Sequence, residues 1–407
     1  MPSTRRTFLT TALGSGAALS FSGSMPQFLL HAAEGEQGSN NETILVVVQL
    51  SGGNDGLNTI VPYDDDAYLS KRPKLGIPAD KVLKIDKQLG FHPAAKGLAD
   101  LLEDEKLAVI QGVGYEKPNR SHFESMDIWH TCRRKTERRT EGWLGRVLDA
   151  SASDAGGDVP ALHLGHDKQP LALAAKHVRT PSVRSLERFR LRSKENEKLI
   201  GSITATKREK PDALLDFVQT STTAALSASR RVEKAAGAYK SSVEYPQSDL
   251  GQKLRTTAQL IDSGLKTRIY YVTLDGFDMH SQQAAAHTAL LTKFSAGVSA
   301  FVKDLAEHGH EQRVLVTGFS EFGRRVQENA SEGTDHGAAG PMFFAGGRVK
   351  PGLHGAHPSL TDLVDGDLKH HTDFREVYAT VLERWLRTSD SASILGKEYE
   401  PVDFLKT

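Results

Sequence analysis

Residues Thr43 to Leu50 read Thr-Ile-Leu-Val-Val-Val-Gln-Leu, an apolar run dominated by β-branched side chains. A half-exposed strand would alternate apolar and polar residues, and an amphipathic helix would repeat every three to four. This run does neither. Its length and composition fit a strand covered on both faces, as in a parallel sheet. It stops at Ser51-Gly52-Gly53-Asn54-Asp55-Gly56, where glycines permit a sharp turn. Leu107 to Val113, Arg268 to Leu274 and Arg313 to Phe319 repeat the pattern, and Pro341 to Ala345 is a further candidate.

Helical periodicity fills the gaps. Pro93 to Leu102 is one segment. Leu291, Phe294, Val298, Phe301, Val302 and Leu305 form an apolar stripe, as do Phe374, Val377, Tyr378, Val381, Leu382, Trp385 and Leu386. Strands alternating with helices predict an α/β fold, a three-layer αβα sandwich on a mainly parallel sheet. Residues 43–407 are read as one domain, with a mostly helical insertion over about 185–265, where strand signals are few. In such sheets ligands bind beyond the carboxyl ends of the strands, which is where the polar clusters fall.

The N-terminus reads differently. Arg5-Arg6 precede Thr7-Phe8-Leu9 and a weakly apolar stretch from Thr11 to Phe21, and no acid occurs before Glu34. A basic start followed by a short apolar segment predicts an export signal over residues 1–33, cut near Ala32 or Ala33. The paired arginines resemble the twin-arginine type, which implies the twin-arginine machinery as a partner and a periplasmic or secreted, already folded product. Residues 34–42 read as a polar linker. No later segment is long and apolar enough for an integral membrane helix. The chain balances 51 basic against 51 acidic residues, which argues against a nucleic-acid-coating surface. Its one cysteine, Cys132, excludes an internal disulfide and a thiolate zinc site.

Four clusters could carry chemistry. Asn54 and Asp55 lie in the first turn, with Asp55 as a potential metal ligand. Arg120-Ser121-His122 follow the second strand. Ser121 and Glu124 fit a capping box, yet a helix N-terminus also favours anions, and a metal-activated Ser121 could attack a phosphoryl group while Arg120 steadies charge. Both roles for Ser121 stay open. Asp278 and His280, two residues apart, offer oxygen and imidazole from one loop, with Ser281 as a possible cap of the next helix. Asp335-His336 are adjacent and flanked by glycine, a donor set suited to zinc or manganese. Glu321 and Arg324 lie between the last two clusters. His354, His357 and His371 are weaker candidates, and Asp373 reads first as an N-cap completed by Glu376.

In this order, Asp55, Ser121, Asp278 with His280, and Asp335-His336 resemble the alkaline phosphatase-like superfamily. The chain is also similar to a branch of it, the domain-of-unknown-function family 1501. The residues that carry this likeness are Gln49 to Asn58, Asn119-Arg120-Ser121-His122-Phe123, Gly276 to His280, Ser320-Glu321-Phe322-Gly323-Arg324, Thr334 to Gly337 and Thr372 to Arg375. The resemblance implies an exported metal-dependent hydrolase of phosphate or sulfate esters. Asp55, Asp278, His280, Asp335 and His336 would hold one or two divalent ions, zinc or manganese first, calcium or magnesium as alternatives. The nucleophile would be Ser121 or a metal-bound water. Asn54, His122, Glu321, Arg324, His354, His357, His371 and Asp373 would be further ligands or contacts to a small-molecule or polysaccharide ester. The superfamily's final histidine has three contenders, His354, His357 and His371. Cys132 lacks the Cys-x-Pro-x-Arg context of a formylglycine sulfatase. The competing reading is a non-catalytic exported binding or assembly protein on the same fold.

Overall fold

The computed structural model describes residues 42–151, 159–165, 168–183 and 239–406. The expected export signal, nearly all of the linker and residues 185–238 of the expected insertion lie outside these.

One nine-stranded sheet organises the described residues. Its strands are β1 (Ile44–Ser51), β2 (Leu107–Gly114), β3 (Ala161–Leu164), β4 (Ser182–Val183), β5 (Ile269–Asp275), β6 (Val314–Phe319), β7 (Gly340–Ala345), β8 (Gly352–His354) and β9 (Thr372–Asp373). The order is β8-β2-β7-β6-β1-β5-β3-β4, with β9 also paired to β2. β1 is central and parallel to both neighbours, Val46 facing Tyr270 on β5 and Val316 on β6. β7 runs antiparallel to β2 and β6. The five strands expected from sequence all form, and the sheet is mainly parallel. The short strands β3, β4, β8 and β9 carry too few residues to stand out as apolar runs.

Alternation along β1 divides the core. Ile44, Val46, Val48 and Leu50 pack on one face with Leu98 of α1 (Lys96–Glu103), Leu254 of α4 (Asp249–Asp262) and Phe294 of α5 (Gln283–Glu307). Leu45 and Val47 pack on the other face, where Ile128 of α2 (His122–Thr131), Leu144 of α3 (Trp143–Ala150) and Val377 of α6 (Phe374–Thr380) lie. Side chains leave a strand in opposite directions at successive residues, so a wholly apolar strand demands cover on both sides. The three layers follow from that demand. Residues 239–265 are the described part of the expected insertion, and α4 lies within them.

Candidate metal centre at the carboxyl edge of the sheet

β1, β2, β5 and β6 end on the same edge, and the loops that leave them meet there. The turn after β1 passes so close to the β5 loop that a Cβ on Gly52, whose φ is +115°, would collide with the backbone nitrogen of Asp278. Gly333 presses likewise against the backbone of His280. These glycines are required by close approach of main chains, not by turns alone.

Arg324 is the clamp. Its buried guanidinium donates to the carbonyls of Gly52, Gly53, Phe277 and Thr334, and to Asp278 Oδ1 at 2.8 Å. One planar fork thereby ties three loops to one another. Arg324 touches Asp278 directly but, being a cation, serves as its positioner and not as a ligand to a metal.

Asp278 is the focus. His336 Nε2 lies 3.0 Å from its Oδ1, His280 Nε2 lies 3.1 Å from the same atom, and His122 Nε2 lies 3.3 Å from Oδ2. His122, Asp278 and His336 have donor atoms close enough to share one ion. His280 adjoins them, its Nε2 3.0 Å from His336 Nε2. Burial pulls the Asp278 carboxyl upward, but the hydrogen bond from Arg324 and the charge of its guanidinium outweigh it and hold the group below the ordinary range.

Each imidazole is oriented by its far nitrogen. His336 Nδ1 donates to the carbonyl of Arg120 at 2.7 Å. His122 Nδ1 lies 2.9 Å from Glu321 Oε1 and His280 Nδ1 lies 3.0 Å from Asp335 Oδ1. A carbonyl accepts only, so the His336 proton sits on Nδ1 and the Nε2 lone pair faces the cluster. The same carboxylate-to-imidazole pairing orients metal-binding histidines generally. His336 is pushed downward, by burial first, which keeps it neutral. His122 is raised, chiefly by its hydrogen bond to Glu321. His122 Nε2 is buried and makes no hydrogen bond. The donor set therefore fits a borderline cation such as zinc: imidazole nitrogens and one carboxylate, with lone pairs that would otherwise repel.

Several expected roles come out differently. Asp335 does not point its carboxylate at Asp278; it holds His280 and accepts from Asn329. Asp55 is buried away from the group. Its Oδ2 is taken by Arg72 and by Gln283 at 2.5 Å, and its Oδ1 by the amide of Asn58 at 3.2 Å. Asn54 likewise belongs to a buried network with Thr59 and His287. The guanidinium of Arg120 is held by Asp367, and its main-chain carbonyl is what serves the site. Ser121 is the N-cap residue of α2, but its hydroxyl makes no capping hydrogen bond. Glu124, which would complete the expected box, pairs instead with Arg139. Ser121 is an exposed residue and directly precedes His122. Ser281 does not cap α5 either; Gln282, in a left-handed conformation, occupies that place.

The remaining candidates sit elsewhere. His354 Nε2 bonds the carbonyl of Lys350, and His357 Nδ1 bonds Gln111 at 3.1 Å. The amide of His371 bonds the carbonyl of Gly112. Asp373 forms the capping box with Glu376 that its spacing predicts, and also pairs with Arg375. Cys132 is buried at the C-terminus of α2, and burial pushes its thiol up to about 12, so it is not a nucleophile. Sequence reasoning missed Arg72, Gln283 and His287 altogether. None carries a local motif, and only the fold brings them against Asp55 and Asn54.

Residues 42–395 match the family described as "Protein of unknown function (DUF1501)". The chain belongs to this family. No curated protein matches it. Among solved structures, this DUF1501 chain is similar to the PsFucS1 sulfatase from Pseudoalteromonas sp. at 10% identity, covering 93% of this chain and 73% of that one, TM-score 0.40. It is also similar to a putative sulfatase from Bacteroides thetaiotaomicron at 8% identity, covering 89% and 76%, TM-score 0.42. A third is the C-terminal periplasmic domain of EcEptC from Escherichia coli, in complex with Zn, at 9% identity, covering 76% and 75%, TM-score 0.37.

Proposed function

We propose that this DUF1501 protein is an exported hydrolase of phosphate or sulfate esters that works with one divalent cation. The observation that supports it most is the convergence of His122, His280 and His336 on Asp278, each imidazole held by a partner at Nδ1. His122, Asp278 and His336 would hold the cation, with His280 as the adjoining donor. A bound cation at such a site supplies charge to polarise an ester oxygen and to acidify a nearby hydroxyl or water. The capture of both Asp55 oxygens by Arg72, Gln283 and Asn58 favours one ion over two.

The chain's own residues supply the rest. Ser121, free of its cap bond and next to His122 in the chain, would be the nucleophile. The N-terminal amides of α2 favour an anion there. Glu321 and Asp335 keep the imidazole lone pairs aimed inward, and Arg324 fixes Asp278 against the β1 turn. The twin-arginine segment would deliver the folded protein outside the cytoplasm.

The test is metal analysis of purified protein together with a screen of phosphate and sulfate esters, on the wild type and on Ser121→Ala. The expected result is about one zinc or manganese per chain in both, with turnover by the wild type and a loss of roughly two or more orders of magnitude in the variant. Metal present with full turnover by Ser121→Ala would assign the nucleophile to water. No metal and no turnover in either would refute the proposal.

A further inference from the structure

Residues 133–139 read Arg-Arg-Lys-Thr-Glu-Arg-Arg, five cations and one acid in a chain of zero net charge. The segment follows α2 and folds back along it. Arg139 forks onto Glu124 and reaches Asp127 at 3.6 Å. Arg134 donates to the carbonyls of Lys117 and Glu116 and covers the Tyr115 ring at 5.0 Å. Glu124 follows Ser121-His122 and Lys117 precedes them, so one basic segment is fixed to the chain on both sides of the proposed reaction centre. Among the described residues no acid pairs with Lys135 or Arg138, and both are exposed.

Phe123 adds a second, independent feature. It is 87% exposed, on the first turn of α2 directly after His122. Positions four apart share a helix face, so Phe123 lies on the same face as Asp127, one of the anchors of the basic segment. Buried positions take the other large aromatic side chains of the α2 region, Tyr115 and Trp129. A phenyl ring standing in water at the edge of a polar site is a ready platform for an apolar ring face.

We propose that this rim binds a polyanionic glycan, a sugar chain bearing repeated sulfate or phosphate groups. Lys135, Arg138 and the neighbouring arginines meet the anionic groups, and Phe123 meets the C–H face of a sugar ring. Guanidinium suits sulfate and phosphate because its fork matches two oxygens at once. The local field also concentrates a polyanion at the site although the whole chain is neutral. The inference rests on the ester-hydrolase reading for its purpose, since it names the substrate class of that site, but its test does not depend on turnover.

The experiment is fluorescence anisotropy with labelled dextran sulfate at about 50 mM NaCl, where surface charge is weakly screened. Lys135→Glu combined with Arg138→Glu should weaken binding about tenfold or more while leaving metal content unchanged. Phe123→Ala should weaken binding of dextran sulfate and leave that of inorganic polyphosphate unaltered. Equal binding by wild type and the charge-reversed protein overturns the proposal. Binding of dextran sulfate that is insensitive to Phe123→Ala, or preference for single-stranded RNA, overturns the glycan assignment. A protein that binds dextran sulfate through these residues yet hydrolyses no ester refutes the hydrolase reading alone.

Discussion

Glu321→Gln isolates how much the carboxylate behind His122 contributes to metal binding. Glu321 is almost wholly buried at the end of β6, and its Oε1 accepts from His122 Nδ1 and from the amide of Gly52 at 2.9 Å. Its hydrogen bond is the first cause of the raised His122 pKa, so it makes the ring a stronger base and fixes its orientation together. Glutamine keeps the volume and an accepting oxygen but removes the charge. Loss of such an outer partner ordinarily costs about 10- to 100-fold in metal affinity, equivalent to about 1.4–2.7 kcal/mol. The assay is a chelator-competition titration with zinc at neutral pH, alongside a urea melt of the metal-free protein. The expected outcome is weaker zinc binding within that range and a circular dichroism spectrum like that of the wild type. Unchanged zinc affinity in a folded Glu321→Gln protein would refute the assignment of His122 as a ligand oriented by Glu321.

Three further outcomes test other parts of the structure. Asp55→Asn should leave the metal stoichiometry intact yet destabilise the fold by about 3 kcal/mol, because Arg72 would remain buried without its counter-charge; a loss of metal without loss of stability in urea would return Asp55 to the ligand set. Acid should destabilise the protein well above the carboxylate range. Burial holds His130 at about 3 and His92, His287 and His357 at about 4, so below about 6.5 the unfolded chain takes up protons that the folded chain refuses. Stability is then full above about 6.5 and falls as pH drops toward 4, by at most about 2 kcal/mol per imidazole at pH 5; an unchanged urea midpoint between pH 7 and pH 5 would contradict it. The raised pKa values of His122 and His308 oppose this trend, but the depressed imidazoles, which also include His310, His336 and His370, outnumber them. Replacing Arg5 and Arg6 by lysine should trap the precursor in the cytoplasm, read by cell fractionation; normal export of that variant would exclude the twin-arginine route.

The parts of the site that were legible in the sequence are those where one loop holds both partners or where a local rule applies. Asp278 and His280 are two residues apart, and the structure sets the His280 nitrogen against the Asp278 oxygen. Asp373 and Glu376 satisfy the capping rule and form the box. The same rule gave the wrong partner for Ser121, because Arg139 lies near enough to capture Glu124. A guanidinium fork binds a carboxylate more strongly than a neutral amide does. His122 ranked low because nothing beside it in sequence marks it. Its partners Glu321 and Asp278 are 199 and 156 residues away by number.

The continuous apolar character of β1 by itself determined the architecture. A strand with no polar face must be covered twice, and the helical stripes between the strands are the cover. Glycines at the strand ends and the order of the Asp and His clusters also fixed, from sequence alone, the edge at which a site would form. Only the tertiary structure decided which of those polar residues meet. Asp55 and Asp278 both follow central strands and offer the same carboxylate. Arg72 neutralises the first in the interior, whereas Arg324 leaves the second with one face open to three imidazoles. That difference depends on which cation each carboxylate meets across the fold, a long-range pairing that no local pattern encodes.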